Sequence, residues 1–274
     1  YQIGKNYDVI YNSRQALLSE LTLFRQDFVT TNYIYGFGTT EDVPYGYNIA
    51  LTGGWYKQLQ RSRAYLGINA NRYYATDAGA FMQFFIRGGG FVYDKNVEDV
   101  VLMTGGNLFS RLLLYRNLKV RQYLKMSVTR QINRTTFDAL RIDNPFGLNQ
   151  FRSDTLAGRG RISLYSETTV FTPNKAFGFK LAPFVFGDMS LLTPEKIDPG
   201  KTKMYAGIGA GMRARNENLV FGTMECRFIY FPRPSERTNV FKIAFRSNLR
   251  FRYNSLYVKA PETIQYNVAD PNLY

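Results

Sequence analysis

An all-β chain folded as an antiparallel transmembrane β-barrel is what the sequence predicts, on three observations. Apolar and polar residues alternate with period two in one segment after another, the segments are long, and Tyr and Phe crowd their ends. Soluble strands run to about 5–6 residues. A strand crossing a bilayer at a tilt needs roughly 9–11, with the excess projecting beyond it. The segments here span about 12–16 residues, and Tyr73, Tyr74, Tyr93, Tyr115, Tyr230, Phe231, Tyr253 and Tyr257 fall where interfacial girdles would lie. The polar faces carry many charges and few Ser or Thr, which suits a hydrated interior.

Taken in order, eleven strands are expected, with a twelfth in 3–11. The first, 14–25, contains the single stretch with a helix-compatible pattern, Arg14 to Phe24, but Thr22 and Phe24 let the alternation continue. Strands 46–58 and 62–75 follow, then 79–94, where Gly88, Gly89 and Gly90 point to a bend or bulge, and then 98–114. In 117–131, Leu118, Val120, Leu124, Met126 and Val128 oppose Lys119, Arg121, Tyr123, Lys125, Ser127 and Thr129. In 159–171, Ile162 and Leu164 oppose Arg161, Ser163 and Glu167, and 176–191 comes next. In 202–215, Met204, Ala206, Ile208, Ala210, Met212 and Ala214 oppose Lys203, Tyr205, Gly207, Gly209, Gly211, Arg213 and Arg215. In 218–231, Met224, Cys226 and Phe228 oppose Thr223, Glu225 and Arg227. In 239–254, Phe241, Ile243, Phe245, Leu249, Phe251 and Tyr253 oppose Lys242, Ala244, Arg246, Asn248, Arg250 and Arg252. Segments 172–175 and 215–218 are tight connectors, whereas 132–158, 192–201 and 232–238 are longer. Alternating the ends also leaves 30–45 as a long connector on the side where turns should be short.

Composition removes whole classes of activity. The 274 residues include no His and one Cys, so neither a Ser-His-Asp triad, a His-ligated metal centre, a multi-Cys zinc site nor an internal disulfide framework can be built within the chain. No cofactor is expected. The 45% apolar content excludes a disordered polyelectrolyte, and no apolar run approaches the roughly 18–20 residues of a transmembrane helix. The chain opens on Tyr1 without a signal pattern, as a mature or partial chain would. Lys and Arg exceed Asp and Glu by 35 to 21, for a net charge of +14. Because Lys119, Arg121, Lys125, Arg246, Arg250 and Arg252 sit on the inward parity, the excess points to a positive interior rather than to nucleic acid. Cys226 lies on the lipid parity as a small apolar residue.

From residue 140 onward the chain resembles the barrel of the BamA/TamA superfamily of outer-membrane proteins, the bacterial surface antigens. Phe151-Arg152-Ser153-Asp154 stands where the family has a hydrophobic-Arg-Gly-aromatic motif on a long extracellular loop that folds into the lumen. Leu181-Ala182-Pro183-Phe184-Val185-Phe186-Gly187-Asp188 is similar to the family's apolar-Pro-Phe-x-x-x-Asp strand, and Gly207-x-Gly209-x-Gly211-x-Arg213-x-Arg215-Asn216 to its Gly-alternating strand. Gly36 to Gly46 resembles a segment of divergent members. Ser153 replaces the motif Gly, Asp154 its aromatic, and Asp188-Met189-Ser190 the usual Asp-Ala-Gly.

The resemblance implies that Arg152 pairs with Glu167 and Asp188 in the lumen, beside a wall formed by Gly207, Gly209, Gly211, Arg213, Glu225 and Arg227. A guanidinium fork meeting carboxylates there would give strong oriented bonds. The alternative is a solvated loop arginine. Glu167 and Asp188 could also be set up as a general acid/base pair, but no nucleophile or oxyanion donor accompanies them, and a structural charge pair is preferred. The three glycines could suggest a nucleotide loop, but they recur at period two in a strand with no helix behind it, so close approach of the infolded loop explains them better.

The resemblance further implies residence in the outer membrane of a Gram-negative bacterium. The expected activity is non-enzymatic: assembly, insertion or translocation of proteins through a weak seam between first and last strands, with Asn248, Arg250 and Arg252 on the seam strand. A barrel anchor or accessory subunit carrying an N-terminal domain, and a passive diffusion channel, are the other expectations. Partners would be outer-membrane lipid and lipopolysaccharide and other outer-membrane or periplasmic subunits. Residues 1–258 are read as the barrel, about eleven or twelve of roughly sixteen strands, with the N-terminal ones absent, and 259–274 as a polar tail in the periplasm.

Overall fold

A computed structural model of the chain describes residues 13–58, 61–136, 138–144, 146–194, 202–216, 222–249 and 260–267. These contain fifteen strands and no helix: β1 (Arg14–Asn32), β2 (Thr40–Gln58), β3 (Arg61–Ala75), β4 (Phe81–Tyr93), β5 (Asn96–Phe109), β6 (Leu113–Tyr115), β7 (Leu118–Ile132), β8 (Leu140–Arg141), β9 (Ala157–Gly158), β10 (Gly160–Phe171), β11 (Lys175–Ala176), β12 (Phe179–Thr193), β13 (Lys203–Arg215), β14 (Thr223–Tyr230) and β15 (Phe241–Leu249). Eleven of them form one antiparallel path, β1-β2-β3-β4-β5-β7-β10-β12-β13-β14-β15. Short β6 and β11 extend hairpins with β7 and β12, giving a 13-stranded sheet, and β8-β9 is a separate ribbon inside the long connector.

The eleven long strands are those expected from the alternation, because a sheet with one apolar and one polar face writes its period directly into the sequence. Differences are local. β1 and β2 run on to Asn32 and from Thr40, so the supposed 30–45 connector shrinks to 33–39. The segment expected at 98–114 breaks into β5 and β6: both pair with β7, but the register slips by one residue between the pairs Phe109–Tyr123 and Leu113–Val120. The connector expected at 172–175 instead contains the start of the β11-β12 hairpin. That hairpin turns at Phe177 and Gly178, both at positive φ, between the paired Ala176 and Phe179. Two adjacent positive-φ residues match the right-handed twist of the flanking strands. β14 begins only at Thr223. Segment 3–11, connector 217–221, and the tail beyond Asn267 lie outside the described residues, as do Arg250 and Arg252 and the side chain of Asn248.

Two bulges interrupt the ladders. Phe91 pairs with Glu98 but Gly89 with Val101, so Asp99 and Val100 together oppose Gly90, and Asp99 has φ 50. The Gly88–Gly90 signal for a bulge was therefore well placed. The second lies between Arg246 and Leu249, where Glu225 pairs with Arg246 but Thr223 with Leu249. An extra residue reverses side-chain parity. Leu249, expected on the same face as Phe241, Ile243 and Phe245, consequently packs against the inner cluster instead.

The two faces of the sheet are inverted relative to a soluble protein. On the outer face Leu17, Leu21, Leu66, Ile86, Val185, Ile208, Ile243 and Phe245 stand exposed, Leu17 at 76% and Phe245 at 78%. On the inner face Arg63, Arg161, Arg213, Glu167, Glu225 and Asp188 are buried. The sheet curls far enough that Tyr73 of β3, Phe109 of β5, Tyr165 of β10, Phe184 of β12, Tyr205 of β13 and Ile229 of β14 share one cluster, which also takes in Ile34, Tyr35, Leu148 and Phe151 from connectors. The inner face thus carries aromatic packing with paired charges embedded in it.

Candidate functional site

The strand register brings four charged side chains together on the inner wall. Glu167 comes from β10, Arg213 from β13, and Glu225 and Arg227 from β14, with Arg213 directly opposite Glu225. Arg213 Nη2 lies 2.7 Å from Glu167 and its Nε 2.8 Å from Glu225. Arg227 Nη2 lies 3.1 Å from Glu167, and Arg227 Nε donates to Glu225. Each guanidinium therefore spans both carboxylates, and the group carries no net charge.

Surrounding polar groups complete the set. Arg213 Nη1 donates to Thr169 Oγ1 at 2.9 Å, and Arg227 Nη1 to the Tyr165 hydroxyl at 2.9 Å. Rings cover the faces: Arg213 sits 4.5 Å from the Phe184 centroid and 5.3 Å from that of Tyr35, and Arg227 is 5.0 Å from both Phe184 and Phe186. Arginine suits this position because its planar fork can serve two carboxylates while its faces stack on aromatics. With every carboxylate bound edge-on by guanidinium, the cluster is arranged to hold strands in register. It offers no free base beside a nucleophile.

Arg152 does not join it. Its side chain is exposed, and the motif residue that enters the interior is Phe151, which packs on Tyr205 and Phe231 at centroid distances of 5.9 and 5.5 Å. The Arg152 backbone is what is held, its N–H donating to Thr238 Oγ1 at 2.7 Å and its carbonyl accepting from Thr238. Alternation along this extended turn explains the result: with Phe151 and Ser153 buried, Arg152 must point the other way. Asp188 is also separate from the four-residue group. Its Oδ2 accepts the Asn149 N–H at 2.7 Å, so the loop reaches this carboxylate through backbone rather than through a guanidinium.

The infolded connector is fastened elsewhere too. Ser127 Oγ donates to the Phe146 carbonyl at 3.0 Å and Lys242 Nζ to that of Gln150 at 2.7 Å. Beyond the rim, Glu236 accepts from Ser153 Oγ at 2.8 Å and from the Thr155 N–H at 3.1 Å. These bonds, that from Ser153 foremost, hold the Glu236 carboxyl down to about 2. Ser153 thus supplies a hydroxyl that a glycine at this position could not.

The glycine wall is covered by rings, not by the loop. A Cβ on Gly211 would lie 2.3 Å from Phe184 Cζ, one on Gly209 2.5 Å from Phe186 Cζ, and one on Gly207 2.8 Å from Phe231. Cross-strand aromatics lie flat over neighbouring glycines, which is why bulky rings fit a curved wall.

Three features escaped the sequence reading. Arg63 donates to Asp99 at 2.6 Å and to Thr136 Oγ1 at 2.8 Å, tying β3 to the bulge and to the long connector. The bulge hides Asp99 from a period-two reading. The 33–39 turn folds inward: Lys180 Nζ donates to the Phe37 carbonyl at 3.1 Å and Thr223 Oγ1 to that of Tyr35 at 2.8 Å. Its signal was the apolar run Ile34, Tyr35 and Phe37 within a supposed connector. Finally, residues 260–267 do not hang free. Ile264 N–H donates to the Tyr65 hydroxyl at 2.8 Å, and Arg161 Nη2 to the Tyr266 carbonyl at 3.3 Å.

No protein family and no curated protein matches the sequence.

Proposed function

We propose that the chain is an outer-membrane β-barrel of the BamA/TamA type, acting without catalysis in the assembly, insertion or translocation of proteins at that membrane. The observation that carries the reading is the inverted sheet: an apolar outer face running across the whole strand order, around an inner face of buried ion pairs. Contiguous exposed apolar area beyond a few hundred Å² on a protein marks a surface meant to be covered. Lipid would cover this one uniformly. The long antiparallel strands and the infolded 140–153 segment accord with it. β1 and β15 stand at the two ends of the strand order among the described residues, where a seam would lie.

A barrel serving as anchor or accessory subunit is the second reading, favoured over a diffusion channel by the aromatic packing of the inner face. Two measurements separate these readings. The folded chain in detergent should migrate faster on a cold gel than after boiling, and identical mobility would overturn the barrel. Vesicles holding the chain should speed folding of an added urea-unfolded outer-membrane barrel, and no acceleration would overturn the assembly role while leaving the anchor.

A further inference from the structure

β15 ends at Leu249 opposite Thr223, beside the inward-folded 33–39 turn, since Thr223 also binds the Tyr35 carbonyl. Residues 264–267 lie at the other end of the sheet, against residues 138–141 of the long connector and the start of β10. Residues 264–267 thus rest on the inner face at the end of the sheet opposite to the end of β15.

The seat is built for it. Ile264 and Tyr266 pack with Val101 and Leu140. Gly89 leaves the necessary room, because a Cβ there would lie 3.1 Å from Ile264 Cγ2. The Tyr266 hydroxyl donates to the Asp138 carbonyl at 2.7 Å. The Asn267 carboxamide is held at both ends: Nδ2 donates to the Ala139 carbonyl at 2.8 Å, and Oδ1 accepts the Arg141 N–H at 3.0 Å. Those two backbone groups lie beside the β8-β9 ribbon, so one side chain does for β8 what a further strand would do. A carboxylate would present two acceptors to a carbonyl and a donor, and an alanine nothing.

We propose that this seat is a peptide-binding site on the inner face, selective for a segment that presents Tyr-Asn at a bend, and that residues 260–267 are its displaceable resident. The bonds of Ile264, Tyr266 and Asn267 and the apolar contact with Val101 and Leu140 are ones that a second peptide of the same sequence could make in place of the tail. Once vacated, the Ala139 carbonyl and Arg141 N–H lose their partner and favour a replacement. The inference rests on these contacts alone and does not need the membrane reading.

The test uses the chain cut after residue 259 and a fluorescent synthetic octapeptide of residues 260–267, followed by anisotropy in detergent. The shortened chain should bind the peptide saturably. The full chain should bind it at least roughly tenfold more weakly, because its own tail competes, and a peptide with Asn267→Asp should lose roughly tenfold. Absence of binding by a shortened chain with unchanged circular dichroism and gel mobility would overturn the proposal. So would equal binding by the full chain, or indifference to Asn267→Asp. If the shortened chain does not fold, the full-length Asn267→Ala protein takes its place: peptide uptake above that of the parent supports the site, and unchanged uptake overturns it. A chain that fails the gel-mobility test can still pass this one, so the two readings fail separately.

Discussion

Replacing Glu225 by Gln removes one charge from the inner four-residue cluster while keeping its shape. In the structure Glu225 is 2% exposed and contacts both Arg213, at 2.8 Å, and Arg227. After the change two guanidinium groups share Glu167 alone, and the cluster goes from neutral to a net single positive charge in a site sealed by Phe184, Phe186 and Tyr35. Breaking a buried pair by removing one partner typically costs about 3–5 kcal/mol, mostly from the stranded charge. At a urea slope of about 2 kcal/mol/M this lowers the unfolding midpoint by roughly 2 M. Trp55, the single tryptophan, is on the outer face of β2 and reports the transition by fluorescence. Replacing Arg213 by Met alone should cost a similar amount for the opposite reason, two carboxylates facing one guanidinium. The double variant restores neutrality, so it should be clearly more stable than the sum of the single losses implies, with a coupling of at least ~1–2 kcal/mol. Strictly additive losses would refute the claim that these four groups act as one neutral unit.

Other outcomes follow from single contacts. Gly211→Ala places a methyl 2.3 Å from Phe184 Cζ and 2.5 Å from the Cys226 carbonyl, and should cost about 1–3 kcal/mol in the same urea assay. Arg152→Glu should change stability by less than about 0.5 kcal/mol, because the side chain is exposed; impaired assembly or a lost cold-gel band would show that the guanidinium is engaged after all. Glu236 has a folded-state pKa of about 2, below its ordinary value near 4.5, so the unfolded chain binds the proton first. The contribution of its bonds to Ser153 and Thr155 is present above about 4.5 and is lost as pH falls toward 2. Pepsin should accordingly cut near 151–156 faster at pH 2 than at pH 4, and Glu236→Gln should flatten that difference.

Much of the fold was legible because the partition into outer and inner faces is binary and strict. Alternation in Lys203–Arg215 assigns every residue of β13 to the face it occupies. The reading failed where the count slips by one. At Asp99 a bulge turns an apparent strand residue into the anchor for Arg63 and Thr136. At Leu249 another moves that one residue of β15 to the inner face, while Phe241, Ile243 and Phe245 before it keep the outer one. For the site, Glu167, Arg213, Glu225 and Arg227 were all placed on the correct wall, but the partner of Glu167 was misjudged. The motif arginine was expected inside, whereas the alternation of side chains along the loop inserts its neighbours Phe151 and Ser153. The tail was illegible for a different reason: several of its bonds use backbone groups, which leave no trace in composition.

The buried 33–39 turn also dictates an order of events during folding. Its partners stand far along the chain: Lys119 donates to the Tyr33 hydroxyl across 86 positions, Lys180 to the Phe37 carbonyl across 143, and Thr223 to the Tyr35 carbonyl across 188. The β1-β2 hairpin can form as soon as its two strands exist, but the cover over Ile34, Tyr35 and Phe37 is completed only when β12 and β14 arrive. Contacts this distant in sequence close late and slowly. A polypeptide arrested before β10 would carry these three side chains uncovered by their later partners, a patch that distinguishes unfinished molecules from finished ones and gives a holding chaperone or a quality-control protease something to grip.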